Sequence, residues 1–312
     1  MSVWQFIISK KQPCILLYVL QSIGSSPGRQ GFKMAVSADG QMCGSIGGGI
    51  MEHKFVEMAK DLLQKNETAS RLYRQLHDKE AGENKSGMIC SGEQSIFIYS
   101  IRNQDIEPIE QLAEGEAAFQ NGALQLGKAG IAFSQRPPQQ NYFFEQEGDD
   151  FLYMEKTGCK NQLHIIGGGH CALALSRIMR GMDFYIRVYD EREGLNTIQQ
   201  NEYAHEKIIV DTYSAVNDFI PAEENVYVVI MTFGYRTDDR AIRSLLNRNF
   251  KYCGVLGSAN KMKKLKEAYA AENLSGPLLL QLYSPIGISI NSQTPEEIAV
   301  SIAAEMIKVK NA

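Results

Sequence analysis

The feature that most constrains the fold is a strand, a glycine loop, a helix and a second strand that follow one another between residues 163 and 190. A short apolar strand leads into Gly167-Gly168-Gly169, a helix is predicted over 170–181, and a second apolar strand ends at Asp190. The loop has the G-x-G-x-x-A spacing, and the acid follows Gly167 by 23 residues. This combination is typical of a dinucleotide-binding βαβ unit.

Predicted strands and helices continue to alternate after this unit. The strands cover 207–210, 226–232 and 252–256, and the helices cover 238–247 and 259–272. Such alternation favours a parallel sheet with helices on both faces. We therefore expect an α/β protein whose C-terminal domain is Rossmann-like.

The last predicted helix carries its own start signal. Thr294-Pro295-Glu296-Glu297 places a threonine cap, a proline at the first helical position and a glutamate three residues after the cap. This is the capping-box pattern. Ile298, Ile302 and Met306 then form the expected buried stripe.

The N-terminal half is less regular and reads as a mixed α/β domain. Its predicted strands are 14–21, 32–37, 71–76, 94–101, 130–134, 141–145 and 151–155, and its helices run from the triple glycine to 64 and over 106–120. The polar stretch 156–161 reads as a connector. We expect two domains, 1–158 and 159–312.

Composition limits the functions open to this chain. Of its 312 residues 44% are hydrophobic and 22% are charged, and the chain has no apolar run of about 18 residues. We expect a soluble protein without a membrane span. The net charge of −4 argues against a nucleic-acid partner, which usually requires a concentrated basic face. The six cysteines contain no C-x-x-C pair, so we expect no structural zinc, no disulfide framework and a cytoplasmic location.

A second glycine loop, Gly44-Ser45-Ile46-Gly47-Gly48-Gly49, precedes the helix that contains Glu52. Glycine lets the backbone approach a ligand, and a helix start directs N–H groups at an anion. Gly47, Gly48 and Gly49, with Arg29, are therefore candidates to bind a phosphate, although the same residues could simply form a tight turn. Glu52 could accept a hydrogen bond from a ligand amine or favour the helix dipole.

Several stretches together resemble the XdhC/CoxI family, accessory proteins that mature molybdenum hydroxylases such as xanthine dehydrogenase. They are Gly24-Ser25-Ser26-Pro27-Gly28-Arg29, the loop from Gly44 to Glu52, Gly167-Gly168-Gly169-His170, Asp190-x-Arg192, Gly254-x-x-Gly257-Ser258, Ser284-Pro285-Ile286-Gly287 and Thr294 to Ala299. The chain departs from the family pattern at Cys90-Ser91-Gly92, where the second residue is usually glycine. It also has Thr232-Phe233-Gly234-Tyr235 where histidines are common, and Ala259 in place of an arginine.

The resemblance implies a protein that binds the molybdenum cofactor (molybdopterin), supports its sulfuration and inserts it into a hydroxylase. The implied partners are an apo molybdenum hydroxylase of the xanthine dehydrogenase type and a sulfur donor of the cysteine desulfurase type. The oligomeric state stays open, with a homodimer as one expectation. Cys90 is the candidate catalytic residue, because a thiolate suits molybdenum or a transferred sulfur. No resident metal site is expected.

Candidate residues of the second loop are Gly167, Gly169 and His170 for a phosphate, and Asp190 and Arg192 for the ribose. Asp190 would accept from ribose hydroxyls and disfavour a 2′-phosphate, whereas Arg192 would attract one. An NAD(P)-dependent oxidoreductase is therefore the alternative function. Against it, the sequence shows no acid–base pair for turnover. We expect a cofactor-binding maturation factor rather than a turnover enzyme.

Overall fold

The computed structural model describes residues 1–77, 92–221 and 223–312. The chain divides into two compact units, Met1–Gly158 and Cys159–Ala312. In the described ranges, no helix has both the length and the apolar character needed to cross a membrane.

In its described residues, 1–77 and 92–158, the first unit contains three α-helices and two antiparallel sheets. The helices are α1 (Val3–Ser9), α2 (Gly49–Gln64) and α3 (Ile106–Ala117). The strands are β1 (Cys14–Gly24), β2 (Lys33–Ser37), β3 (Met42–Gly44), β4 (Ser70–His77), β5 (Gly92–Ser100), β6 (Gly122–Gly127), β7 (Gly130–Ser134), β8 (Tyr142–Glu147) and β9 (Asp150–Thr157). One sheet has the order β3-β2-β1-β5-β4 and the other the order β7-β6-β9-β8.

Strand β1 lies at the centre of the five-stranded sheet, and its side chains are buried on both faces. Leu16, Tyr18 and Leu20 pack in one cluster with residues of α1 and α3. The alternate residues, such as Leu17 and Val19, pack in a second cluster with residues of α2. Since side chains alternate along a strand, burial on both faces explains why this segment is continuously apolar.

The second unit is a six-stranded parallel sheet with helices on both faces. Its strands are β10 (Asn161–Ile166), β11 (Phe184–Asp190), β12 (Glu206–Ile209), β13 (Val226–Ile230), β14 (Tyr252–Val255) and β15 (Leu282–Tyr283), in the order β12-β11-β10-β13-β14-β15. Its helices are α4 (His170–Met179), α5 (Asn196–Gln199), α6 (Tyr235–Ser244), α7 (Ala259–Ala271), α8 (Pro277–Gln281) and α9 (Pro295–Lys310). Residues of α4 and α9 belong to one buried cluster, and residues of α6 and α7 belong to another.

The chain order of this sheet reverses between β10 and β13. Strand β11 pairs with one edge of β10 and β13 pairs with the other, both in parallel. Ligands of open α/β sheets bind beyond the carboxyl ends of the strands at such a point. The loops after β10 and β13 are therefore the ones to examine.

The predicted Rossmann-like parallel sheet is confirmed, and so is the capping box of α9. Thr294 accepts from the Glu297 amide, and the Glu297 carboxylate accepts from the Thr294 amide. Ile302 and Met306 are fully buried, while Ile298 is half-buried. Six of these elements lie outside the sequence-based predictions, namely α1, β3, β6, α5, α8 and β15.

Candidate functional site

The first glycine loop connects β3 to α2 in a conformation that glycine favours. The φ angles of Gly47, Gly48 and Gly49 are +126°, +74° and +70°, which L-residues with side chains rarely adopt. Gly47 also packs against the stretch from Gly24 to Arg29. A Cβ on Gly47 would lie 2.3 Å from the Gly28 backbone nitrogen. The turn therefore requires glycine at these positions independently of any ligand.

The side chain of Glu52 binds the inside of this loop. Its Oε2 accepts hydrogen bonds from the Ser45 hydroxyl at 2.6 Å, the Ile46 amide at 2.8 Å and the Gly48 amide at 3.0 Å. The Gly47 amide donates to Ser45 Oγ at 3.1 Å. Two of the three glycine amides expected to contact an anion are thus bonded within the protein.

Partial burial raises the pKa of Glu52, but the hydrogen bonds from Ser45 and the loop amides outweigh it and hold the pKa below its usual value. The carboxylate is therefore charged at neutral pH. It already supplies a negative charge at the start of α2, where the helix dipole favours one.

The segment that contains Arg29 lies beside the loop. Gly28 contacts it so closely that a Cβ would lie 2.0 Å from the Ile46 carbonyl oxygen, and Gln94 Nε2 fixes the Gly28 carbonyl at 2.7 Å. Arg29 is exposed, and one of its guanidinium nitrogens donates to the Gly24 carbonyl at 3.3 Å. The fold thus brings together the two N-terminal stretches that carried the resemblance.

Cys90, the candidate catalytic residue, lies outside the described residues. Of the described cysteines, Cys14 and Cys253 are buried, and burial raises the pKa of both thiols, to about 11 for Cys14. Cys43 is half-buried beside the first glycine loop. The described ranges contain no group of three or more histidine, cysteine, aspartate or glutamate residues that could hold a metal ion.

The second glycine loop connects β10 to α4, and its three glycines have different surroundings. A Cβ on Gly167 would lie 2.3 Å from the Met231 carbonyl oxygen, in the loop after β13. A Cβ on Gly168 would lie 2.3 Å from the Ile198 side chain. Only Gly169 has open space on its Cβ side among these three. The accessible part of the loop is therefore the start of α4, where His170 is exposed.

Asp190 and Arg192 form a closed pair behind this loop. Asp190 Oδ2 accepts from the Gly168 amide at 2.7 Å and from Arg192 Nη2 at 2.8 Å. Its Oδ1 accepts from the Arg192 amide at 2.9 Å and from Arg192 Nε at 2.8 Å. The Asp190 side chain is fully buried, whereas 40% of the Arg192 side chain is exposed.

Burial raises the pKa of Asp190, but these hydrogen bonds and the Arg192 charge outweigh it and lower the pKa. Arg192 also lies over the exposed Phe233 ring, 4.9 Å from its centroid. The charged group that faces solvent at the end of β11 is therefore the Arg192 guanidinium rather than the Asp190 carboxylate. Whether Asp190 contacts a ribose and disfavours a 2′-phosphate stays a prediction.

Two histidines of the second unit are poor acid–base groups at neutral pH. Burial and the Arg187 charge lower the pKa of His164 to about 3. Burial is also the main reason that the pKa of His205 is lowered to about 4. Both imidazoles are therefore neutral at pH 7, and neither has the pKa that efficient general acid–base catalysis requires.

The sequence motifs gave no sign of a buried network at the carboxyl end of β13. Asp238 is fully buried, and its Oδ1 accepts from the Thr232 amide at 3.0 Å and the Thr232 hydroxyl at 2.6 Å. Its Oδ2 bonds to Lys261 Nζ. Burial is the main cause that raises the pKa of Asp238.

We expected a helix start after Thr237, and the helix is present but begins earlier. Helix α6 begins at Tyr235, after Gly234, so Asp238 lies in its first turn, where its carboxylate binds the preceding loop. No local pattern predicts this role, because Lys261 is 23 residues away along the chain.

Comparison with known proteins gives two family matches, one for each glycine loop. A model described as "XdhC and CoxI family" matches residues 7–74, and a model described as "XdhC Rossmann domain" matches residues 163–306. The chain belongs to the XdhC/CoxI family. The resemblance noted from the sequence motifs is therefore confirmed.

Individual relatives of this family member are distant. "Uncharacterized protein YqeB" of Escherichia coli K12 is 24% identical over 96% of the chain. A probable xanthine dehydrogenase subunit of Bacillus subtilis 168 is 28% identical over 51% of the chain. The matched regions span 44% and 46% of these two relatives, less than half of each.

A crystal structure described as a xanthine dehydrogenase from Bacillus halodurans has the same fold. Its TM-score is 0.75, at 24% identity, over 100% of this chain and 96% of that one. At this level of identity the similarity establishes the fold alone.

Proposed function

We propose that this protein is an accessory factor in the maturation of a molybdenum hydroxylase of the xanthine dehydrogenase type. One observation carries the proposal: the two units match two models of the same family, and each matched region contains one of the glycine loops. The Bacillus subtilis relative, by its name a probable part of a xanthine dehydrogenase, links this family with that class of enzyme.

The cargo we propose is the molybdenum cofactor, bound at the first glycine loop. The residues there offer three kinds of contact. Glu52 is a charged acceptor, Arg29 is an exposed cation, and α2 begins at the loop. A pterin with a phosphate tail needs an acceptor for its amino group and a cation for its phosphate. These residue types therefore fit the two ends of the cargo.

The amides of Gly47 and Gly48 fit the phosphate less well, because Ser45 and Glu52 already accept their hydrogen bonds. We therefore assign the phosphate to Arg29 rather than to these two amides. Cys90, as a thiol, is proposed to contact molybdenum or the sulfur received from a cysteine desulfurase-type donor.

Cofactor analysis tests the cargo. The protein is purified from a molybdate-supplied host, released cofactor is oxidised to a fluorescent pterin, and the pterin is quantified per chain. We expect a pterin in the wild-type protein and a large decrease in Arg29→Ala. A preparation that contains no pterin, or a dinucleotide in its place, would contradict molybdenum-cofactor binding.

The second candidate function, which rests on the Rossmann unit, is that of an NAD(P)-dependent oxidoreductase. The open start of α4 at Gly169 is the observation that favours it, since a dinucleotide phosphate binds at such a position. The lowered pKa values of His164 and His205 weigh against turnover. We therefore propose that a nucleotide bound here would be a ligand of the accessory factor rather than a redox substrate.

A further inference from the structure

A groove on the second unit lies between α7 and the segment that contains α8 and β15. Its inner part is a cavity of about 390 Å³, and a more open part of about 460 Å³ adjoins it at Ala259 and Pro285. Small-molecule sites usually have volumes of about 300–1,000 Å³, so the groove has room for a small ligand. The two parts share four lining residues, namely Met262, Lys266, Ala270 and Ser284.

The groove begins where the chain leaves two neighbouring strands. Strands β14 and β15 pair in parallel. Helix α7 begins at Ala259 in the connection after β14, and Ser284 directly follows β15. Ligands of open α/β sheets bind beyond the carboxyl ends of the strands. The groove therefore starts at the edge of the sheet where a ligand is expected.

The lining of the inner cavity is mainly apolar. Met262, Leu265 and Tyr269 follow one another along one face of α7, and each is at most 4% exposed. Leu279 and Leu282, from α8 and β15, line the cavity as well and are half-buried. Because contact with apolar surface removes it from water, this lining favours a ligand with an apolar body.

Two hydroxyl groups of the lining have no hydrogen-bond partner among the described residues. They are Tyr269 Oη, in a residue that is 4% exposed, and Ser284 Oγ, which is itself buried. Burial is the main cause that raises the pKa of Tyr269, and the nearby Asp239 raises it further, so the hydroxyl stays protonated and can donate. A buried hydroxyl without a partner costs free energy, and an acceptor on a ligand would remove this cost.

Positive charge borders the same groove. Helix α7 contains four lysines and one glutamate. Lys261 bonds to Asp238, and Lys263 lies 3.8 Å from Glu267. Lys266 lines both parts of the groove and forms no ion pair with a residue that the structure describes. An anionic group on the ligand would provide its partner.

We propose that this groove binds a small amphipathic carboxylate. The apolar body of the ligand packs on Met262 and Leu265. Its carboxylate accepts from the Tyr269 and Ser284 hydroxyls and from the Lys266 ammonium, because two carboxylate oxygens accept several hydrogen bonds. The inference goes beyond the proposed function and does not depend on it, since the cargo is assigned to the first glycine loop.

Calorimetry on the full chain tests the proposal with three probes, octanoate, octan-1-ol and butyrate. We expect octanoate to bind at one site per chain. Octan-1-ol keeps the apolar body but lacks the charge, and butyrate keeps the charge but lacks most of the apolar body. Each of these two probes should bind at least tenfold more weakly than octanoate.

Three substitutions remove the polar contacts one at a time. Ser284→Ala, Tyr269→Phe and Lys266→Gln should each weaken octanoate binding at least threefold, because each removes one donor to the carboxylate. The matched control is Lys264→Gln, an exposed lysine of the same helix outside the lining, which should keep the wild-type affinity.

A fourth substitution fills the groove. Ala270 lines both parts of the groove and is exposed, so Ala270→Phe should block octanoate binding without a change in the buried core. Ala271→Phe, at the neighbouring exposed position of α7 outside the lining, is the matched control and should bind octanoate as the wild-type protein does. Circular dichroism checks the fold of each variant. If Ala270→Phe does not fold, the surface substitution Lys266→Gln decides.

Four results would overturn the inference. They are no binding of octanoate, binding of octan-1-ol as tight as that of octanoate, octanoate binding that survives in a folded Ala270→Phe, and wild-type affinity in Lys266→Gln or in both hydroxyl variants.

Discussion

At the scale of single residues, the acidic groups of the two loops bind their own backbone. Glu52 accepts from the Ile46 and Gly48 amides, and Asp190 accepts from the Gly168 amide. Both pKa values are lowered, so both groups contribute stability that is present above the unfolded pKa and is lost as pH falls through the folded pKa. The charges stabilise the loops before any ligand is considered.

His164 gives the clearest pH dependence. It is fully buried in β10, and burial lowers its pKa to about 3, against a usual value of about 6.5. Below pH 6.5 the unfolded state binds a proton that the folded state does not bind, so stability is complete above this pH and is lost as the pH falls toward 3. At pH 5 the loss from this group is roughly 2 kcal/mol.

Hydrogen exchange of the β10 and β13 amides at pH 7 and pH 5, corrected for intrinsic rates, measures this loss in the second unit. Between pH 7 and pH 5, the free energy of unfolding of His164→Gln should decrease by about 2 kcal/mol less than that of the wild-type protein. His170→Gln, at an exposed position, is the matched control and should retain the wild-type dependence. An identical pH dependence in His164→Gln and the wild-type protein would show that His164 is not the group that titrates.

At the scale of elements, the start of α9 is determined locally. Thr294 caps the helix, and the Glu297 carboxylate binds the Thr294 amide at 3.2 Å and the Gln293 amide at 2.7 Å. The buried residues of α9 share a cluster with those of α4, the helix that follows the second glycine loop. The cap therefore supports the helix against which α4 packs.

Thr294→Ala should decrease the free energy of unfolding by about 1 kcal/mol, because the Glu297 amide loses its acceptor. For a domain of this size the decrease corresponds to roughly 2–4 °C in Tm. Thr294→Ser, which retains the hydroxyl, should stay close to the wild-type value. A Thr294→Ala variant with a wild-type melting curve would mean that water or packing replaces the cap.

Local patterns were enough to predict many of the elements but not their contacts. The parallel strands follow from short apolar runs between glycines, and α9 follows from its capping box. Helix α1 was not predicted, although Ser2 and Gln5 form a capping box that the sequence contains. Helix α6 was placed too late because the Asp238 charge suggested a helix start. Asp238 instead bonds to Lys261, which is 23 residues away along the chain, and local patterns do not predict such a contact.

The candidate site shows the same division. Glycine spacing identified both loops, because the positive φ angles and close backbone approaches at Gly47 and Gly167 restrict these positions to glycine. The sequence could not reveal that Glu52 and Asp190 fill hydrogen-bonding positions that a ligand was expected to occupy. That outcome depends on side-chain geometry, and a spacing pattern does not encode it.

At the scale of the whole molecule, two units of one chain each carry a glycine loop of the same family. In the second unit, His164 and His205 have lowered pKa values, and Asp190 is bonded to Arg192. We propose that these loops serve a protein that holds and transfers a cofactor, a role that needs no acid–base pair. A protein that transfers its cargo once per client is needed in amounts comparable to the client.

The most direct measurement is a titration of a cofactor-free hydroxylase with this protein loaded with molybdenum cofactor, together with a sulfur donor. We expect hydroxylase activity to rise linearly and to saturate near one accessory chain per active site, without steady NADH oxidation on small carbonyl compounds. A hydroxylase that the loaded protein fails to activate would contradict the accessory role, and NADH turnover that Gly169→Val abolishes would favour an oxidoreductase.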